Sequence, residues 1–242
     1  MKLTICLATH NGAQFVEELL RSIVVQLSEG DEILVADDAS TDDTAALARK
    51  FGPAVRILTV ERAGGVVPNF ERVIAAATGE AIALCDQDDV WLPGRVELIR
   101  ERLQAADLLV LNGQVVNERL EPMGVSIFDF VGVRAGFFGN LMHNSFVGCC
   151  MAFRRSLGER VIPFPAGVPW HDWYIGLVAS LIGQVQFVDR NTLLYRRHSG
   201  NASFTGETSR NSLWKKVSIR VGVLRAVLAA SARRTVGVRV SK

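Results

Sequence analysis

Nowhere in its 242 residues does this chain carry an unbroken apolar run of 18 positions, so no helix is expected to cross a bilayer. Paired cysteines are missing too. Cys6, Cys85, Cys149 and Cys150 form no C-x-x-C spacing, and each lies in an apolar stretch. That argues against a paired-cysteine zinc site and for reduced, buried thiols, which suit the cytoplasm. The short apolar run at the start soon meets His10, Asn11 and Gly12, so no secretory leader is expected. No Gly-x-Ser-x-Gly elbow, H-E-x-x-H pair, Walker A loop or G-x-G-x-x-G after the first strand occurs, and the chemistries that rest on them lose their support. Internal repeats and low-complexity segments are absent. Acids are absent from residues 213–242, which carry eight Lys and Arg; that segment is +8 against +2 for the whole chain, which leaves −6 on the rest. An acidic body gives little support to a nucleic-acid partner, and one that handles an anionic ligand needs a cation or a positive helix end to do so.

What is present is a sizeable core: 49% of residues are hydrophobic and 21% charged. Short apolar runs at 2–9, 32–36, 54–60 and 80–85 read as buried strands. Between them, 14–26, 40–51 and 68–77 read as helices, and Pro93 opens another that reaches about residue 105. This alternation predicts βαβ units and a parallel sheet with helices on both faces. Beyond residue 106 the order changes. Residues 107–116 and 147–155 read as strands, 173–183 as a helix, and 184–189 with 192–198 as a hairpin.

In such sheets ligands bind at the carboxyl ends of the strands. Three polar clusters fall there: Thr9-His10-Asn11, Asp37-Asp38, and Asp86-Gln87-Asp88-Asp89. The last places three carboxylates within four residues, and their mutual repulsion would be relieved by a divalent ion with oxygen ligands, Mg²⁺ or Mn²⁺. The alternative is an acidic loop that caps the helix at Pro93. Asp38 can accept a hydrogen bond from a ribose hydroxyl or a base N–H, or can cap the following helix. The "RAGG" stretch, with Gly65 at its end, can let backbone approach a ligand, or is a plain turn. In "PWHDWY", Asp172 among aromatics can act as a general base; local chemistry alone favours a helix cap. His198, in "RRHSGNAS", is a metal or phosphate ligand or a structural histidine.

Taken together, "TICLATHNG", "ILVADDASTDDT" and "GEAIALCDQDDVWLP", in that order, resemble the family 2 glycosyltransferases, with Ala39 where the family usually has glycine. The likeness covers residues 3–105 closely. Over 143–201, through "NSFVGCCMAF", "HDWYIGLVA" and "LYRRHSGN", it is looser and is similar to the bacterial rhamnosyltransferase-like branch. The resemblance implies an α/β chain with the GT-A fold, a Rossmann-like, mostly parallel sheet flanked by helices. It implies a catalytic domain over 1–212, with a nucleotide-binding half (1–105) and an acceptor-binding half (106–212), which leaves 213–242 as a separate C-terminal segment. It implies further that Thr9, Asn11, Asp38, Gly65 and Asp86 hold the nucleotide. Asp88 and His198 bind Mn²⁺ or Mg²⁺, Asp172 is the catalytic base, and Trp170, His171 and Cys149 border the acceptor. The donor is then a dTDP- or UDP-linked sugar and the acceptor a glycan or a lipid-linked glycan. No Q-x-x-R-W motif is present, which speaks against processive synthesis. The rival readings are a sugar-nucleotide nucleotidyltransferase, disfavoured because "ATHNGAQF" lacks a basic residue, and a non-catalytic nucleotide-sugar-binding module.

In the basic segment, Leu213, Val217, Val221, Leu224 and Leu228 make one apolar helical stripe. Such a helix can lie on the inner face of the cytoplasmic membrane, or pack on the catalytic domain or on a second copy in a homodimer.

Overall fold

A computed structural model describes residues 1–62, 64–201 and 212–232. The first half alternates as the apolar runs dictate: β1 (Leu3–Thr9), α1 (Val16–Val24), β2 (Glu32–Asp37), α2 (Thr44–Arg49), β3 (Val55–Thr59), α3 (Val66–Ala76) and β4 (Ala81–Asp86). β1, β2 and β4 are buried along nearly their whole length, as strands covered on both faces must be. α1 turns Val16, Leu19, Leu20 and Ile23 onto them.

Next come β5 (Val90–Trp91), α4 (Arg95–Arg102), β6 (Leu108–Asn117), β7 (Pro122–Ser126), α5 (Ile127–Val131) and α6 (Gly136–Met142). They are followed by β8 (Met151–Arg154), α7 (Arg155–Val161), α8 (His171–Ile182), β9 (Val185–Arg197) and α9 (Leu213–Ala232). The strand order is β3-β2-β1-β4-β8-β6-β9-β5, with β7 paired to β6. The sheet is parallel from β3 to β4; β8 then runs antiparallel to both β4 and β6, and β9 returns parallel to β6. One continuous sheet therefore spans both halves of the chain. It is the expected α/β sheet flanked by helices, with a C-terminal helix, but it is mixed rather than mostly parallel, with β4–β8, β6–β8, β6–β7 and β5–β9 antiparallel.

Three expectations need correction. The hairpin over 184–198 is a single bent strand, β9. It follows β6 along its length, and the turn-like residues Asp189 and Arg190 form a bulge where Leu111 pairs with Val188 and Asn112 with Asn191. The strand expected over 147–155 begins only at Met151, because Gly148–Cys150 form a 3₁₀ turn. Helix α4 starts at Arg95 rather than Pro93, since Gly94 takes φ 81° immediately before it.

The C-terminal helix packs on the domain, but not by the face its stripe suggested. α9 lies against α8 through Val223, Ala226, Val227 and Ala230, all buried, with Ile219 beside them. Val217, Val221 and Leu228 of the stripe stay exposed. The Leu213 side chain and residues 233–242 of the expected amphipathic segment lie outside the described residues. No described helix is long and apolar enough to cross a membrane.

Candidate active site

Register builds the crevice. Thr9 pairs with Asp37 and Ala8 with Asp86, so β1, β2 and β4 end side by side. The loops beyond them are knitted together. Asp38 N–H donates to the Thr9 carbonyl (2.9 Å), and His10 Nδ1 meets the Asp38 carbonyl (2.8 Å). Gln87 exchanges two hydrogen bonds with the His10 backbone, at 2.9 and 3.1 Å. A Cβ on Gly12 would stand 2.2 Å from Gln87 Oε1, so a larger residue there would push the Gln87 amide off the His10 backbone. Asn11 sits at φ 48°, where asparagine is tolerated; its N–H donates to Ser40 Oγ and its Oδ1 accepts from Thr41 N–H. Ala39 adopts φ 57°, a conformation that glycine takes without strain.

The acids here are not helix caps. Asp38 accepts the N–H groups of Gly64 and Gly65, both at 2.8 Å, and so holds the "RAGG" loop against the end of β2. Gly65, at φ 89°, leads into α3. Thr9 is buried, and its hydroxyl donates to Asp37 Oδ1 (2.9 Å). That bond ties the end of β1 to the end of β2.

The carboxylates after β4 fall into two sets. Asp86 and Asp89 flank the Cys149 thiol, and one ligand atom from each of the three lies within 4.8 Å of the others. Burial, then Asp88, then Asp172 push the Asp86 carboxyl up to about 7. Asp89 is pushed well up by burial and by Asp88 and Asp86. The thiol is itself raised well above its usual range, by its hydrogen bond with Cys150 and by burial. A sulfur ligand suits a hard cation poorly. The other set suits one better. Asp88 Oδ2 meets His198 Nε2 at 2.9 Å and accepts from Asn201 Nδ2 at 2.8 Å, and both the Asp88 and His198 side chains stay partly open. A carboxylate and an imidazole converging at an open edge fit Mn²⁺ or Mg²⁺.

Arg196 holds this second set in place. Its Nε donates to the Asp88 carbonyl (2.8 Å), its Nη1 to the Glu118 carbonyl (2.7 Å) and its Nη2 to Glu18, while its backbone N–H donates to Asp89 Oδ1. The guanidinium lies 4.9 Å over the Phe15 ring, and that ring in turn lies 4.8 Å from His198. Arg95, fully buried over Trp91, ties the Cys149 carbonyl to Thr192 Oγ1.

Asp172 lies in the first turn of α8 and accepts the N–H groups of Trp173 (2.6 Å) and Gly148. Burial outweighs these bonds and pushes its carboxyl up to about 6. Gly148, whose N–H it accepts, precedes Cys149, which lies beside Asp86, so Asp172 and Asp86 stand on the same side of the crevice. His171 turns the other way. It is buried, stacked 4.0 Å from Phe70, and its Nε2 has no hydrogen-bond partner. Burial pushes it down to about 3, so it stays neutral beside Asp172.

Two acceptor expectations are thereby corrected. Cys149 is fully enclosed beneath the carboxylates and His171 is packed inside, so neither offers a surface to an acceptor. Trp170, 48% exposed and 6.1 Å from the Trp173 ring, stays at the surface. Of the other expected residues, Thr9, Asn11, Asp38, Asp86 and Asp88 stand at or just beyond the ends of β1, β2 and β4, Gly65 is bonded to Asp38, His198 to Asp88, and Asp172 to the backbone of Gly148. Arg196, Asn201 and Gln87 belong with them too. Their signal in the sequence was proximity to the motifs "YRRH" and "DQD", and their partners are distant in the chain.

Residues 4–161 match glycosyl transferase family 2. Among curated relatives, the chain is 26% identical to the dTDP-rhamnosyl transferase RfbG of Shigella flexneri, over 90% of this chain and 79% of the other. Among solved structures it superposes on TarS of S. aureus in complex with UDP-GlcNAc, with TM-score 0.68 and 18% identity, over 95% of this chain and 66% of that one. It also superposes on the mannosyltransferase PcManGT from Pyrobaculum calidifontis in complex with GDP-Man and Mn²⁺, with TM-score 0.60 and 19% identity, over 96% of this chain. The chain spans about two thirds of the length of these two structures.

Proposed function

Because the chain belongs to glycosyl transferase family 2, we propose that it moves a sugar, rhamnose or a hexose, from a dTDP- or UDP-linked donor to a hydroxyl of a glycan or lipid-linked acceptor, inverting the anomeric carbon, in cell-surface polysaccharide synthesis at the cytoplasmic side of the membrane. The observation that carries this reading is the pairing, in one crevice, of a carboxyl raised to about 6, Asp172, with the Asp88–His198 set. The names of RfbG and of the TarS complex support a pyrimidine nucleotide in the donor.

In this reading Asn11, Asp38 and the Gly64–Gly65 backbone hold the nucleoside, and Asp86 faces its ribose. Asp88 and His198 hold the divalent ion, which when bound supplies positive charge to the donor's diphosphate. Trp170 offers its exposed ring to the acceptor sugar, while Phe70 and His171 wall the base off from water. The acceptor oxygen bonds to the anomeric carbon as the bond to the diphosphate breaks, and the acceptor's proton passes to a carboxylate oxygen of Asp172.

The test is nucleoside diphosphate release against pH, at saturating donor, acceptor and Mn²⁺. A base works only when deprotonated, so turnover should fall about tenfold per pH unit below about 6 and level off above it. Turnover that stays flat from pH 5 to 7 would remove Asp172 from the role.

A further inference from the structure

We infer that α9, together with α6, forms a docking surface for an anionic lipid bilayer. α9 has two apolar faces. One, through Val223, Ala226, Val227 and Ala230, is fixed on the domain. The other carries Trp214, Val217, Val221 and Leu228, a single stripe at i, i+3, i+7 and i+14. Trp214 is 85% exposed and the rest of the stripe is about half exposed. Because the inner face is anchored, the helix cannot roll to hide this outer one.

The surface continues onto the neighbouring helix. Arg220 Nη2 donates to the Met142 carbonyl (2.7 Å) at the end of α6. α6 presents Phe138, 79% exposed, and Met142, also largely exposed, and has no charged residue of its own. A spread of large apolar side chains over two adjoining helices marks an interaction site rather than ordinary surface.

Charge selects the occupant. Lys215, Lys216, Arg220 and Arg225 flank the stripe, and residues 212–232 contain no acid. A second copy docking helix to helix would set these cations against their own kind. Anionic headgroups match the cations, and the acyl boundary takes the tryptophan and the aliphatic stripe. The surface also lies close to the base: the Asn140 carbonyl of α6 accepts from Trp173 Nε1 (2.7 Å), one residue after Asp172. Docking would thus bring a lipid-linked acceptor to the acceptor end of the crevice. Only this last point rests on the glycosyltransferase reading.

The test is sedimentation of the full chain with vesicles of phosphatidylcholine alone or with 30% phosphatidylglycerol, with no donor or acceptor present. That leaves binding independent of catalysis. We expect co-sedimentation with the anionic vesicles only, weakened by added salt. W214E/V217E should reduce it at least tenfold, and so should K215E/K216E. Trp214, Lys215 and Val217 are exposed and Lys216 partly so, and both variants should unfold at the temperature of the unaltered chain. Three results would overturn the inference: unaltered chain that stays in the supernatant, variants that bind as well as it does, or a dimer in light scattering that W214E/V217E converts to a monomer.

Discussion

Asp172→Asn is expected to lower turnover by about three orders of magnitude, within the range that a positioned general base contributes, while donor affinity changes less than about twofold. The substitution keeps the shape of the side chain and an oxygen that can still accept from the Trp173 N–H. It removes the capacity to take a proton. Donor affinity should survive because the groups that face the nucleotide, Asn11, Asp38 and the Gly64–Gly65 backbone, lie at the ends of β1 and β2 and in the loop before α3, not on α8. A helix cap would behave otherwise, since its loss would appear as a lower unfolding temperature with turnover largely kept. Turnover of the variant near that of the unaltered chain, with the donor bound normally, would assign the proton to another group.

Asp88→Asn should have the second largest effect, and a different one. We expect the Mn²⁺-dependent part of nucleotide affinity to fall by about 100-fold, the upper end of what disturbing a metal site costs, and affinity measured in EDTA to stay unchanged. Asp88 is the point at which His198, Asn201 and Arg196 meet: the first two at its carboxylate, the third at its carbonyl. Neutralising the carboxylate removes the charge that a cation needs. The carbonyl that Arg196 grips remains, so the loop itself should hold. Titration with dTDP and UDP at fixed Mn²⁺, repeated in EDTA, separates the two. An Asp88→Asn chain that retains its full Mn²⁺ response would shift the cation to Asp86 and Asp89, with Cys149 as their third partner.

Much of the crevice was legible because short apolar runs mark buried strands without reference to anything distant. Once β1, β2 and β4 are placed, their polar followers at 9–11, 37–38 and 86–89 must emerge at one edge. Ala39 shows the limit of local reading. The position looks like a conservative change from glycine, and only its φ of 57° shows that a left-handed turn is kept despite the methyl group. Asp189 to Asn191 look like a hairpin turn for the same local reason. Pairing with β6 on both sides converts them into a bulge, and that pairing is between segments more than 70 residues apart. Inward or outward orientation was equally hidden. His171 and Cys149 stand in motif positions, yet Phe70 covers one and the carboxylates the other. Arg196 reads as one of two basic residues at a strand end. Its place over Phe15, with partners at Glu18 and Asp88, depends on contacts that span up to 178 residues of sequence. The α9 stripe was correctly apolar and helical. The sequence pattern could not say that a second face, rich in alanine, makes the contact with the domain.

The central claim is that this crevice binds a nucleotide-sugar through a divalent ion on Asp88 and His198. The most direct measurement is the thermal unfolding of the full chain against dTDP, UDP, their sugar-linked forms and nucleoside triphosphates, each with and without Mn²⁺. The account predicts that one pyrimidine diphosphate and its sugar conjugate raise the unfolding temperature, and that Mn²⁺ enlarges the rise in the unaltered chain but not in Asp88→Asn. A rise with triphosphates alone, or one that ignores both Mn²⁺ and Asp88, would contradict it.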